Sequence, residues 1–189
     1  MNVKLFDNPL QQLIVIDANG KETGQIVDRK TAHTTPGIKH LAIQILVFTS
    51  QKELILHKRP SKKVGGGDVW DAPTTHVLNG ETREQAARRC LKDEYGITEN
   101  TPLSILSGYS YKKDYGDGTC ENEYCLAAFV VYDGEIDGNH NHVEEIKYIS
   151  TSQVFEELIS NPRLYPIWFN ETIQIVKLDF NAQKLFNSN

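Results

Sequence analysis

Residues 82–96 carry the start, the periodicity and the stop of a single helix, and this segment constrains the chain more than any other. Thr82, with Gln85 three residues later, is a capping-box signature. Ala86, Ala87, Cys90 and Leu91 recur at helical spacing and make one apolar face. Gly96 stands where a C′ glycine ends a helix.

Strand signals lie on both sides of it. Residues 12–16 read as a strand closed by the turn signal Asn19-Gly20. The apolar runs 40–48 and 53–57 form a hairpin across Thr49-Ser50-Gln51-Lys52. Residues 61–68, with Gly65-Gly66-Gly67, read as a mobile basic loop. Residues 103–112 and 121–132 pair as a second hairpin, its long tip at 114–118. A short strand at 145–149 precedes helices at 152–160 and 167–178. This order predicts an α+β fold, or an α/β sandwich, with a mixed central sheet flanked by helices.

The chain has 189 residues, of which 39% are apolar, and no repeat or linker-like stretch. We therefore expect one domain over 1–189, with its core at about 11–178. A net charge of −5 argues against a broad nucleic-acid surface. Cys90, Cys120 and Cys125 are an odd number without C-x-x-C spacing, which argues against a disulfide scaffold and fits a reducing cytosol. No run approaches the roughly 18 apolar residues of a membrane helix. Met1 to Leu10 carries no signal-length apolar core. A cytoplasmic protein with no membrane or nucleic-acid partner is expected.

The stretch from Gly80-Glu81 to Gly96-Ile97 resembles the Nudix box. Glu81, Arg89, Leu91, Asp93, Glu94, Gly96 and Ile97 fall in its register. Thr75 replaces the leading Gly, and Cys90 replaces the Glu after the Arg. Arg89 and Asp93 are i, i+4 on one helical face. Asp93 and Glu94 sit late in the helix, against its macrodipole, where a cation would hold them. Hard oxygen ligands suit Mg²⁺, which also bridges substrate phosphates. The resemblance implies a Nudix-like α/β/α sandwich, with Glu81, Asp93 and Glu94 as acidic box residues around Mg²⁺.

A second set is more specific. His33 and His40 flank Pro36-Gly37, His76 precedes the box, and Glu121-Asn122-Glu123 opens a strand. Residues i and i+2 of a strand face the same way, so both glutamates can point at one ion. Three imidazoles and two carboxylates suit Zn²⁺, Mn²⁺ or Mg²⁺. From about Leu13 to Trp168 the chain resembles type I isopentenyl-diphosphate isomerase. That likeness implies that His33, His40, His76, Glu121 and Glu123 hold a first metal, Mn²⁺ or Zn²⁺. It implies that Glu94 helps hold a second ion, Mg²⁺, on a small-molecule diphosphate. Arg29, Arg59 and Lys62 would contact phosphate oxygens. Trp168 would offer its π face to a developing carbocation, and Tyr111 and Glu123 would manage one proton.

One departure matters. Thr74 stands where that family carries a catalytic cysteine. A thiol can exchange a proton near neutral pH, whereas a threonine hydroxyl is a poor acid. Three functions stay open: isomerisation of a small diphosphate, Nudix-type hydrolysis of a nucleoside or other diphosphate, and ligand binding without catalysis. Cys90 also stands where the isomerase family has a basic residue and reads as core packing. Cys120, beside Glu121, is a candidate substitute for the missing thiol. His140 and His142 read as a loop.

Overall fold

The computed structural model describes residues 8–61, 63 and 66–186. Lys62, expected on phosphate, lies outside these residues. The strands are β1 (Gln12–Ile16), β2 (Glu22–Asp28), β3 (His40–Phe48), β4 (Glu53–Lys58), β5 (Trp70–Asp71), β6 (Thr74–His76), β7 (Leu103–Asp114), β8 (Cys120–Val131) and β9 (Glu145–Ser150). The helices are α1 (Arg29–Ala32), α2 (Arg83–Tyr95), α3 (Thr151–Ser160) and α4 (Ile167–Leu178).

Every residue of β3 is buried. Its odd positions, Leu41, Ile43, Ile45 and Val47, pack with Ala86, Ala87, Cys90 and Leu91 of α2. Its even positions Leu46 and Phe48 pack with Phe169, Ile173 and Val176 of α4. Successive strand side chains point to opposite faces, so one continuous apolar run floors two helix layers. The result is the expected helix–sheet–helix sandwich.

β3 runs parallel to β8 over its whole length, from His40 opposite Glu123 to Phe48 opposite Val131. β7 extends the sheet antiparallel beyond β8. The other edge of β3 has three partners in succession: β1 at His40, β6 from Ala42 to Gln44, and β4 at Val47 and Phe48. β4 turns away to pair with β5 and β9, so the mixed sheet curls. The divergence leaves the His40 end of β3 flanked by β1, β6 and β8.

α2 has the predicted caps. Thr82 and Gln85 close a capping box, and Gly96 adopts φ 70°. α4 spans the expected 167–178. α3 starts one residue earlier than expected, because Ser150 and Gln153 form its capping box. β2, α1, β5 and β6 are additions to the sequence-based map. β2 exposes its first five residues, so no alternation marks it. β5 and β6 are too short to show a period.

Candidate metal centre and cavity

Five ligand-type side chains converge at the His40 end of β3. His40 and Glu123 come from directly opposed positions of the parallel β3–β8 pair. His76 is delivered by β6, which pairs with Ala42 two residues along β3. His33 caps the C-terminus of α1, whose N-cap Asp28 accepts a hydrogen bond from Thr31 N–H. Its carbonyl accepts from Cys120 N–H, which seats it beside Glu121. One donor atom from each of His33, His40, His76, Glu121 and Glu123 lies within 4.8 Å of all the others. The three imidazole centroids form a triangle with sides of 4.7, 5.0 and 4.9 Å.

The hydrogen bonds behind these rings reveal which nitrogens face inward. His33 Nδ1 lies 2.8 Å from the carbonyl of Arg29, and His40 Nδ1 lies 2.8 Å from the carbonyl of Ile38. A carbonyl only accepts, so each Nδ1 carries the proton. In the neutral rings each Nε2 then presents a lone pair to the centre. His33 Nε2 is 3.0 Å from Glu121 Oε2, and His40 Nε2 is 3.4 Å from Glu123 Oε1. His33 Nε2, His40 Nε2 and Glu121 Oε2 are buried and lack a hydrogen-bond partner. Lone pairs facing one another need a proton or a cation between them. Backbone carbonyls behind ligating histidines are also the usual supports of metal sites. The donor set therefore fits a divalent ion with mixed nitrogen and oxygen preference.

The electrostatics agree. Burial pulls the His76 imidazole down to about 3, outweighing its hydrogen bond with Glu123, so it is neutral at physiological pH. Burial also lowers His33, but the Glu121 carboxylate 3.0 Å away reverses the sign and leaves it raised. Burial alone would raise Glu123, yet the His40 and His76 imidazoles packed against it hold it well below the usual carboxylate range. Tyr111, paired with Glu123 across β7 and β8, donates its hydroxyl to Glu123 Oε2 at 2.6 Å. Burial and the Glu123 charge push that phenol far up, so its proton stays on oxygen.

A cavity of about 320 Å³ opens beside this cluster. Arg29, Arg59, Thr74, His76, Asp93, Glu94, Tyr111, Glu121, Glu123 and Trp168 all line it. Glu81 does not. Its carboxylate accepts from Arg89 Nε at 2.7 Å and Arg89 Nη2 at 3.0 Å, and from Leu78 N–H at 3.1 Å. By spacing Arg89 and Asp93 are i, i+4 on one face of α2. Instead Arg89 grips Glu81, Thr75 Oγ1 and the His76 carbonyl, and so braces the strand that carries His76. Glu94 is buried on the cavity wall, and burial lifts its carboxyl to about 7 against the pull of Lys63 and Arg59.

Thr74 lines the cavity, but its hydroxyl donates to the Ala72 carbonyl at 2.8 Å and accepts from Gln44 Nε2 at 3.0 Å. Of the cysteines, Cys90 is on the wall while Cys120 and Cys125 are not. Burial raises the Cys90 thiol well above its ordinary value. Trp168 lies against Tyr111 at 5.5 Å between ring centroids, and the Arg59 guanidinium sits 5.4 Å from its own centroid.

Four further residues join the site: Lys63 and His142, which the sequence places in loops, and Asp71 and Gln44, which no motif marks. Lys63 and His142 line the cavity. Asp71, fully buried, accepts from Arg59 Nη1 at 3.0 Å, from Gln44 Nε2 at 2.7 Å and from Trp168 Nε1 at 3.1 Å. Asp71 thus orients both Arg59 and Trp168, with Gln44 linking it to Thr74. Its adjacency to Trp70 was the one sequence signal for Asp71. His142 had none.

Comparison with known proteins places this geometry. Residues 38–167 match the NUDIX domain family. An isopentenyl-diphosphate Delta-isomerase of Pectobacterium atrosepticum is 30% identical over 87% of this chain and 90% of its own length. The enzyme of that name from Haloarcula marismortui is 26% identical over 84% of each chain. Among solved structures, DR0079 from Deinococcus radiodurans superposes with a TM-score of 0.69 over 87% of this chain and 99% of its own, at 14% identity. The MutT protein of Methanosarcina mazei superposes at 0.59 over 79% of this chain and 96% of its own, also at 14% identity. The two structures share the fold, and the family match covers most of the chain: it belongs to the NUDIX domain family, where its sequence relatives include isopentenyl-diphosphate Delta-isomerases.

Proposed function

We propose that the chain is a metal-dependent cytoplasmic enzyme, one domain over 1–189, that isomerises a small diphosphate of the isopentenyl type. The observation that carries this reading is the five-residue cluster, with inward-facing lone pairs and Glu123 shared by His40, His76 and Tyr111. The cytoplasmic assignment is supported by three cysteines that remain free thiols. Among the described residues no helix is long and apolar enough to cross a membrane.

His33, His40, His76, Glu121 and Glu123 would hold Mn²⁺ or Zn²⁺. Glu94, with Asp93 nearby, would hold Mg²⁺ on the diphosphate, and Glu81 would act through its clamp on Arg89. Bound ions supply charge neutralisation for phosphate and carboxylate oxygens. Arg29, Arg59 and Lys62 bind the diphosphate, with Lys63 beside them. Trp168 shields the hydrocarbon part and stabilises positive charge on it. Isomerisation adds a proton to the alkene and removes another. Tyr111 donates its hydroxyl proton in a 2.6 Å hydrogen bond to Glu123, and the pair would serve one of those transfers. Thr74 occupies the place of the other, with a weak acid whose proton is engaged by Ala72.

Incubation with isopentenyl diphosphate, Mg²⁺ and Mn²⁺ tests the proposal by the appearance of dimethylallyl diphosphate. Turnover is expected to be slow. Thr74→Cys should raise it by roughly 10²–10⁴-fold, the span of one positioned acid–base group. No product from either protein, with metal bound, overturns the isomerase reading.

The engagement of the Thr74 hydroxyl favours a second reading, hydrolysis of a diphosphate. Asp93 and Glu94 of the box helix line the same cavity. Phosphate release from a panel of nucleoside and other diphosphates, above that of Glu94→Gln, would support hydrolysis.

A further inference from the structure

A second cavity, of about 430 Å³, opens where the start of α4 meets the tip of the β7–β8 hairpin. Pockets that hold small molecules run from roughly 300 to 1,000 Å³, so it is large enough for one. Its walls are mainly apolar, with Val69, Leu158, Tyr165, Pro166, Ile167 and Trp168 among them. Trp168 is the one described residue that lines both cavities. Ile167 stands 50% exposed here, although covering such a side chain is favourable.

The charges at this cleft are all of one sign. Lys113 and Arg163 line it, and among the described residues no acidic side chain does. In a chain of net charge −5 that is a local reversal. Neither cation forms an ion pair with a described residue. Tyr109, Tyr111 and Lys113 share one face of β7, because alternate strand residues point the same way. Tyr109 donates to the Trp168 carbonyl at 2.7 Å, and Tyr111 packs on the Trp168 ring. Lys113 comes next in that row, at the first turn of α4. That helix begins after Pro166, which has no side-chain acceptor for the first N–H groups. Such an uncapped N-terminus favours an anion. Tyr115 also lines the cleft, and its hydroxyl is buried with no hydrogen-bond partner. A ligand can therefore turn that ring without breaking a hydrogen bond.

We propose that this cleft binds a single-chain amphiphile with an anionic head, at a site separate from the metal cavity. The hydrocarbon chain covers Val69, Leu158 and Ile167. The head meets Lys113, Arg163 and the start of α4. Trp168 belongs to both walls, so a ligand here changes the surroundings of a residue assigned above to substrate.

The experiment titrates the ¹⁵N-labelled full-length chain with decyl phosphate, kept below its micelle-forming concentration, and follows the N–H resonances. Saturable shifts are expected at Leu158, Ile167, Asn170 and the Trp168 indole, and they should persist with excess inorganic diphosphate and Mg²⁺. Ile167→Asp puts a charge at an already exposed position and should weaken binding by about tenfold or more, with Tm unchanged. Lys113→Ala combined with Arg163→Ala should weaken decyl phosphate roughly fivefold and leave decanol unaffected. Shifts confined to the metal cavity, displacement by inorganic diphosphate, or full affinity in Ile167→Asp would each overturn the site. Binding that begins only once micelles form would do the same. Equal affinity for decanol and decyl phosphate would overturn the anionic head. None of these results bears on the five-residue centre.

Discussion

Glu94→Gln should stabilise the metal-free protein, and by more as the pH rises. Burial raises the folded-state carboxyl from 4.5 to about 7, against the opposing charges of Lys63 and Arg59. Between those values the unfolded chain has released its proton and the folded chain has not. Stability therefore falls as pH rises through this window, and the loss is complete above 7. At roughly 1.4 kcal/mol per pH unit, the interval amounts to about 3 kcal/mol. Glutamine has the same shape and no charge to bury, so the variant escapes the loss. Urea unfolding of both proteins in chelator, from pH 5 to pH 8, should show the variant gaining about 2–3 kcal/mol relative to the parent. The other titrating groups are common to both proteins and cancel in the difference. Added Mn²⁺ should reverse the order above pH 7, because an ion compensates the carboxylate and has less to bind in the variant. Two stability profiles that stay parallel across the range would refute the reasoning, since Glu94 would then be ionised at little expense.

Other outcomes follow from the same geometry. Asp71→Ala leaves the buried Arg59 guanidinium without its carboxylate partner and should destabilise the protein by about 3–5 kcal/mol in denaturant titration. It should also shift Trp168 fluorescence, because the indole N–H loses its acceptor. Gly96→Ala forces a Cβ into left-handed backbone at φ 70°, 2.9 Å from Asp137 Cβ, and should lower stability by about 1–2 kcal/mol or more without touching the cavity. Glu123→Gln removes the carboxylate shared by His40, His76 and Tyr111. Isothermal titration should show loss of one Mn²⁺ site, and metal should no longer raise Tm through it.

The helix boundaries and the long buried strand were legible because local patterns record them. Thr82, Gln85 and Gly96 cap α2 through bonds that reach only a few residues, and the apolar run of β3 reports burial on both faces without reference to any partner. The ligand types were legible as well, once His33, His40, His76, Glu121 and Glu123 were read as a set. Their convergence was not a local property. It depends on the parallel register that puts His40 opposite Glu123, and on the short strand that returns His76 beside Ala42. Register between strands distant in sequence is settled by packing over the whole sheet, since a one-residue slip would turn every side chain to the other face. The same holds for partners. Arg89 looked like the neighbour of Asp93 along the helix, but folding offered it Glu81 and the His76 carbonyl. Asp71, Lys63 and His142 lie in segments with no periodicity to mark them. Their roles come from what a folded chain places within hydrogen-bonding or ion-bridging distance, which amino-acid order does not encode one segment at a time.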